Sequence, residues 1–288
     1  MKYCNINEDN FQYFKPLLQE DQQIRMMTDP GICGLGCYDK DTACGILLYT
    51  VEEEYPAIRI LYVSVSFSWQ NRGVATGLIR SLAETAYEEG YITLASFYAA
   101  DRNDPRYAMF ENTEEFTIEQ LPGGVYVVDS DGLKDLIHGM PPAEYDRNIS
   151  GTRSTLSKCP VRIKEKMYGL LKASGLELSQ TRPAVDEDLS FTVLDKKGVP
   201  TALTLISYFE DRNLYEVSFV RSFQPERADL IDTLLQSLTD IHDRMKPQDT
   251  LRFSTPVESM DKLAEKYFSH KYKTEYFYRA GYNGDTVG

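Results

Sequence analysis

A chain of 288 residues has the length of about two domains. Its 42% hydrophobic and 26% charged content, with 18 Gly and 13 Pro, excludes collagen-like, low-complexity and wholly disordered classes. Thirty-one Lys plus Arg against 44 Asp plus Glu leave a net charge of −13, which argues against nucleic acid or anionic lipid as a partner, since that attraction runs on basic surface.

Taken in chain order, the first 130 residues read as a mixed α/β unit. Lys2–Asn5 has the pattern of a short strand, Asp9–Leu18 spaces Phe11, Phe14, Leu17 and Leu18 as a helix does, and Asp21–Met27 predicts a second helix stopped by Asp29-Pro30. Ile32–Tyr38 and Ala43–Val51 flank the polar Asp39-Lys40-Asp41 and predict an antiparallel hairpin. Ile58–Ser66 carries apolar residues on both faces, as a central strand covered on both sides does. Val74, Leu78, Leu82 and Ala86 then recur every fourth residue, and Gly90 stands where a helix C-cap is expected. Ile92–Phe97 predicts a buried strand, Pro105–Glu111 a helix, and Phe116–Gln120 with Val125–Val128 a hairpin turning across Leu121-Pro122-Gly123-Gly124.

Residues 129–160 are rich in polar and turn-forming residues and place a domain boundary there. The remainder of the chain repeats the first half. Val63-Ser64-x3-Ser68-Trp69-Gln70 and Val217-Ser218-x3-Ser222-Phe223-Gln224 stand 154 residues apart throughout, and the flanking elements recur in the same order. Strands are expected at Pro200–Phe209, Leu214–Val220 and Thr250–Ser254, helices at Ala228–Met245 and Ser259–Phe268, and a final strand at Lys273–Arg279. The expected partition is therefore 1–130 for the first domain, 131–158 for a linker and 159–288 for the second copy.

The chemistry-bearing stretch runs strand, loop, helix, from Leu61 to Leu78. A loop entering a helix N-terminus presents free backbone N–H groups and the positive end of the helix dipole, and small residues let a phosphate approach. Gln70-Asn71-Arg72-Gly73-Val74-Ala75 is such an anion cradle, and it is neither a dinucleotide fingerprint nor a Walker loop. No metal is expected: the five cysteines lack zinc spacing, and Cys33, Cys37 and Cys44 read as reduced thiols on one strand face. The absence of any His before His138 excludes a His-based nucleophile apparatus built from the first half alone.

With the strand ending in Val63-Ser64-Val65 before it, this loop resembles the pyrophosphate loop of the GNAT superfamily of acyl-CoA-dependent N-acetyltransferases, whose pattern is Q/R-x-x-G-x-G/A. The resemblance covers residues 1–128. It implies an α/β (α+β) fold of two tandem GNAT-like domains, each a mixed, mostly antiparallel sheet flanked by helices. It also implies acetyl-CoA as co-substrate, its pyrophosphate held around Gln70, Asn71, Arg72, Gly73, Val74, Ala75 and Thr76, and its pantetheine arm paired with Val63 and Val65. Asp101-Arg102-Asn103 through Phe110 is similar to the family's Asn-x-x-Ala-x-x-x-Tyr segment, which adds Asn103 to the cofactor-binding set.

Two positions depart from the family. The tyrosine that protonates the leaving thiolate aligns with Phe110, so Tyr107, one helical turn earlier, is the expected substitute. The strand glutamate that some members use as base aligns with Arg59, so the base is sought in Glu52-Glu53-Glu54, with Glu54 favoured. The second copy replaces Asn71, Gly73 and Ala75 by Pro225, Arg227 and Asp229 and is expected to be silent toward CoA, with a carboxylate facing the phosphates.

These expectations describe a cytoplasmic enzyme, with no membrane-spanning run and no signal-like opening in Met1-Lys2-Tyr3-Cys4-Asn5. It would transfer an acetyl group directly from acetyl-CoA to a primary amine of a small molecule or peptide, with homodimerisation left open. The alternative is an acyl-CoA-binding regulatory module with little or no catalysis; a phosphate ligand other than CoA would need only the cradle.

Overall fold

The computed structural model describes residues 1–52, 55–113, 115–139, 151–172, 185–223, 228–255, 258–268 and 270–282. In chain order its first elements are β1 (Lys2–Asn5), α1 (Phe11–Phe14), α2 (Glu20–Thr28), β2 (Ile32–Asp39), β3 (Thr42–Glu52), β4 (Ala57–Val65), α3 (Val74–Glu88), β5 (Ile92–Ala99), α4 (Pro105–Glu111) and β6 (Phe116–Val128). After these come α5 (Ser130–Gly139), β7 (Thr152–Thr155), α6 (Val161–Lys172), β8 (Phe191–Leu194), β9 (Pro200–Phe209), β10 (Leu214–Ser222), α7 (Ala228–Arg244), β11 (Thr250–Thr255), α8 (Glu258–Phe268) and β12 (Lys273–Tyr282). The mixed α/β class agrees with the sequence expectation.

The chain forms two compact units, Met1–Pro122 with Glu275–Gly288, and Gly123–Thr274. This differs from the linear partition of 1–130, 131–158 and 159–288 in two places. Residues 130–139 of the boundary region are a helix that buries Leu133 and Leu136 in the second unit's core, with the Gly132 N–H capped by Asp129 Oδ1 at 2.8 Å. The strand at the far end of the sequence, β12, belongs for most of its length to the first unit, where it pairs antiparallel with β5 from Tyr276↔Ala99 to Gly281↔Leu94.

In the first unit the strands are ordered β1-β2-β3-β4-β5-β12 and then the first half of β6. Val74, Leu78, Ile79, Leu82, Ala83 and Ala86 of α3 are buried against one sheet face with Leu35, Leu47, Ile58 and Ile60. Phe14 and Leu18 cover Ile46 and Leu48 on the other. Alternate β3 residues thus feed the two cores, as a strand covered on both faces requires. The helix expected over Asp9–Leu18 is shorter, because Pro16 removes a ladder donor and the chain tightens into a 3₁₀ turn at Lys15–Leu17. Cys37 and Cys44 are buried and all five cysteines are free thiols. Burial pushes the Cys37 thiol up to about 11, which leaves it unreactive near neutrality.

The hairpin expected at Leu121–Gly124 is instead one unbroken strand, β6. The reason is where its amides go. Gly123 N–H donates to Asp261 Oδ2 at 3.0 Å and Gly124 N–H to Thr255 Oγ1 at 2.9 Å, so the glycines are held by partners in the second unit's fold and do not close a turn. In the second unit the second half of β6 is succeeded by β11-β10-β9-β8-β7, with α5, α7 and α8 on one face and α6 on the other, over Leu203 and Leu205.

Candidate functional site

The site is built where two neighbouring strands part. β4 and β5 run parallel and are in register from Ala57↔Ile92 to Ile60↔Ala95. Beyond that point β4 continues beside β3 as far as Gly45↔Val65, while β5 continues beside β12. Among the described residues, Leu61–Val65 therefore have no sheet partner on the β5 side. Ser66 N–H donates to Cys44 C=O at 2.9 Å, which sets the alternation: Ser64 and Ser66 turn their backbone groups toward β3. Val63 and Val65 lie opposite Leu47 and Gly45 and turn theirs toward the gap. Consistent with this, the Val65 C=O is free of β3 and accepts from Gln70 Nε2 at 3.3 Å.

The chain then passes through a 3₁₀ turn at Phe67–Trp69 into Gln70–Gly73. Asn71 and Gly73 both take the left-handed conformation, at φ 58 and φ 76. Gly73 is the N-cap of α3 and no side chain caps the helix. The first intrahelical bond runs from Gly77 N–H to Gly73 C=O at 2.9 Å, so the N–H groups of Val74, Ala75 and Thr76 precede the ladder. A Cβ on Gly73 would meet nothing within 4 Å; open space lies beside the loop. Arg72 is exposed and its guanidinium sits 5.2 Å from the Trp69 ring centroid. An uncapped helix start, left-handed backbone before it and room beside it suit a polyphosphate, and the open strand edge suits an extended amide-bearing arm. The residues present fit CoA.

Two glycines outside any sequence motif let α3 lie where it does. A Cβ on Gly45 would stand 2.7 Å from Val74 Cγ1, and one on Gly77 would stand 2.2 Å from the Tyr3 hydroxyl oxygen. Only packing reveals them. The contribution of β12 was equally invisible to sequence, since nothing local in residues 275–282 states which sheet they join.

Asn103 is exposed in the loop before α4, and its N–H donates to Asp101 Oδ1 at 2.7 Å. Asp104 caps α4 by accepting from Arg106 N–H at 2.9 Å; the Arg106 side chain first, and the amides of Arg106 and Ala100 with it, hold the Asp104 carboxyl down to about 2. Tyr107 is buried, packed edge-on against Tyr278 of β12 at 5.1 Å and against Phe97 at 6.4 Å. Phe110 stacks on Phe97 at 5.0 Å. Glu52 is engaged: Arg59 Nε donates to its Oε1 at 2.7 Å. Glu53 and Glu54 lie outside the described residues.

The second copy differs at the strand edge and in the first turn of its helix. Gln224, Pro225 and Arg227 lie outside the described residues, but Val217, 154 positions after Val63, is still in register with Phe253 of the neighbouring parallel strand, so its edge is shared within the sheet. Asp229 does not face an approaching phosphate as expected. It is 2% exposed and accepts from Thr201 Oγ1 at 2.5 Å, which places the chain's own carboxylate inside the first turn of α7.

Residues 2–113 match the acetyltransferase (GNAT) family. The chain carries a tandem GNAT fold. A tandem GNAT protein from the clavulanic acid biosynthesis pathway shares 13% identity over 97% of both chains with a TM-score of 0.63. A GCN5-related N-acetyltransferase from Sphaerobacter thermophilus shares 12% over 98% of this chain and 95% of its own, at 0.54. A glucosamine N-acetyltransferase region in a fungal multi-domain GH3 β-N-acetylglucosaminidase shares 13% over 98% of this chain and 38% of its own, at 0.60. Among curated proteins none matches the sequence. No helix among the described residues is long and apolar enough to cross a membrane, and no cluster of metal-binding side chains occurs among them.

Proposed function

We propose that the first unit binds acetyl-CoA along β4 and α3 and transfers its acetyl group directly to a primary amine. The observation that carries this reading is the parting of β4 from β5 after Ile60 and Ala95, with the uncapped start of α3 directly downstream. Val63 and Val65 would pair with the pantetheine arm, and the amides around Gly73 to Thr76 would hold the pyrophosphate, with Gln70, Asn71, Arg72 and Asn103 at its border. The Val65 N–H is offered as the donor that polarises the thioester carbonyl. The amine, mostly protonated near neutrality, must first lose a proton. Its nitrogen then bonds to the carbonyl carbon as the C–S bond breaks, and the departing thiolate takes up a proton.

Glu54 is the proposed acceptor of the first proton, and Tyr107 the proposed donor of the second. The test is release of free thiol over a panel of amines. Tyr107→Phe is expected to lower kcat by roughly 10²-fold or more while acetyl-CoA affinity holds, and an unchanged kcat removes Tyr107 from the mechanism.

A second reading, an acyl-CoA-binding module with little catalysis, is favoured by the phenylalanine at position 110 and by the ion pair that occupies Glu52. Stoichiometric binding of acetyl-CoA with no thiol release over the whole amine panel would select it.

A further inference from the structure

The second unit carries a row of polar side chains on the sheet face turned away from α5, α7 and α8. Strand registers place Ser207 beside Glu216 and Glu216 beside Arg252, so the three sit on one face of adjacent strands about 4.8 Å apart. Their strand neighbours Ile206, Tyr215, Val217, Leu251 and Phe253 point the other way, into the core. Ser218 extends the row, its hydroxyl donating to Ser207 Oγ at 2.9 Å. Past Val217 and Phe253 the strands β10 and β11 no longer pair, which opens the sheet beside it.

Glu216 and Arg252 are opposite charges, half-buried and in register on neighbouring strands, yet among the described residues neither has an ion-pair or hydrogen-bond partner. The Nε of Arg252 is buried without a partner. A desolvated guanidinium donor left unmatched is costly, and in native structures nearly all such groups are matched by protein, ordered water or a ligand. The two charges present complementary needs at one strand's spacing: a fork of donors that suits a carboxylate, and an acceptor that suits an ammonium.

We propose that this row binds a small zwitterion of the amino-acid type, with its carboxylate on Arg252, its ammonium on Glu216, and Ser218, whose own proton is given to Ser207, as a further acceptor. A simple carboxylate would meet Arg252 and leave Glu216 unmatched; a simple amine would do the reverse. The site lies within the second unit and does not rest on the acetyl-transfer reading of the first.

The test is calorimetry on the full chain with the twenty α-amino acids, and with acetate and methylamine as single-charge probes. At least one amino acid is expected to bind saturably, with acetate and methylamine at least about tenfold weaker. Arg252→Gln and Glu216→Gln should each weaken binding about tenfold or more, and Arg252→Lys, which keeps the charge but loses the fork, should fall between. Thermal melting of each variant reports whether it is folded, and Glu216→Gln with Arg252→Lys carries the test if Arg252→Gln unfolds. Absence of binding by every amino acid at millimolar concentration overturns the proposal. So does acetate binding as tightly as the best amino acid, or binding indifferent to both Gln variants. A double-variant stability cycle showing that the unliganded Glu216 and Arg252 serve only each other would overturn it too.

Discussion

The two helices that leave the parallel strands of the two units carry different charge in their first turns. The start of α3 has no capping side chain, left-handed backbone at Asn71 and Gly73 and open space beside it; the start of α7 holds a buried carboxylate, Asp229, bonded to Thr201. A helix start attracts negative charge because its first amides lack partners and its dipole points positive end outward. In the first unit no acidic side chain stands in the first turn; in the second a buried carboxylate of the chain itself does. The same division holds one element earlier, where Val63 lies past the parting of its strands and Val217 is still within its ladder. A duplicated fold thus becomes asymmetric through a few residues at one end of one sheet.

The largest effect that would break this contrast is loss of β12. Deleting residues 275–288 removes the strand that pairs with β5 and packs Tyr278 on Phe97 and Tyr107. Acetyl-CoA binding in calorimetry is expected to disappear, with the first unit's amides losing exchange protection. A truncated chain that binds with native affinity would show that the first unit is complete without it.

Gly73→Glu tests the uncapped helix start itself. A carboxylate beside the proposed pyrophosphate site and a side chain at φ 76 should lower acetyl-CoA affinity by about 100-fold or more, with a melting temperature within a few degrees of the parent. Asp229→Ala is the reciprocal change, and it should not add a second CoA site, because the Val217 edge stays in the ladder. Two CoA equivalents per chain in either protein would end the claim that the copies differ in this way.

Asp261 sharpens the comparison from the side of stability. It accepts from Gly123 N–H, the Tyr126 and Thr255 hydroxyls and Lys273 Nζ, all at 3.0–3.1 Å. Burial, which alone raises a carboxyl's pKa, is outweighed by these partners, so the group is held below its usual range. Asp261→Ala takes from the buried Lys273 the nearer of two carboxylates, Glu265 Oε1 standing at 3.7 Å, and should cost roughly 3 kcal/mol in denaturant unfolding of the second unit, the low end for a broken buried pair. Preserved stability would mean that the network contributes little.

The smallest expected effect is at Asp104. Asp104→Ala removes the α4 cap and should cost about 1 kcal/mol. Because the folded-state carboxyl is lowered to about 2 from 3.8, its contribution is present above the unfolded value and is lost as pH falls from about 4 toward 2. Parent and Asp104→Ala proteins should therefore converge in stability across that acid window, and a constant gap would contradict the assignment.

Much of this was legible locally. The α3 stripe, Gly90 at φ 85 as its stop, and the hairpin of β2 and β3 are written in periodicity and turn chemistry, which act within a few residues. The cradle was legible because its loop motif and the strand before it are contiguous. What was not legible depends on partners far away in sequence. Leu121–Gly124 carries turn composition, yet Asp261 and Thr255 take the Gly123 and Gly124 amides and the strand runs on without a turn. Tyr107 shares a helix face with Phe110, but its packing against Tyr278 is a tertiary fact. The repeat offset puts Asp229 at the helix start but carries no direction, and Thr201 is what turns it inward.

The placement of β12 also bears on the order in which the molecule is made. A chain leaving the ribosome tends to fold its domains as they emerge, the earliest first. Here the sheet that holds the first unit's site receives a strand encoded after the whole of the second unit. During synthesis the β12-facing edge of β5 is unpaired while the second unit is still being translated, and an unpaired strand edge is prone to wrong partners. The part of the molecule made first is therefore finished last, and a nascent chain stalled anywhere before residue 275 carries an exposed β5 edge.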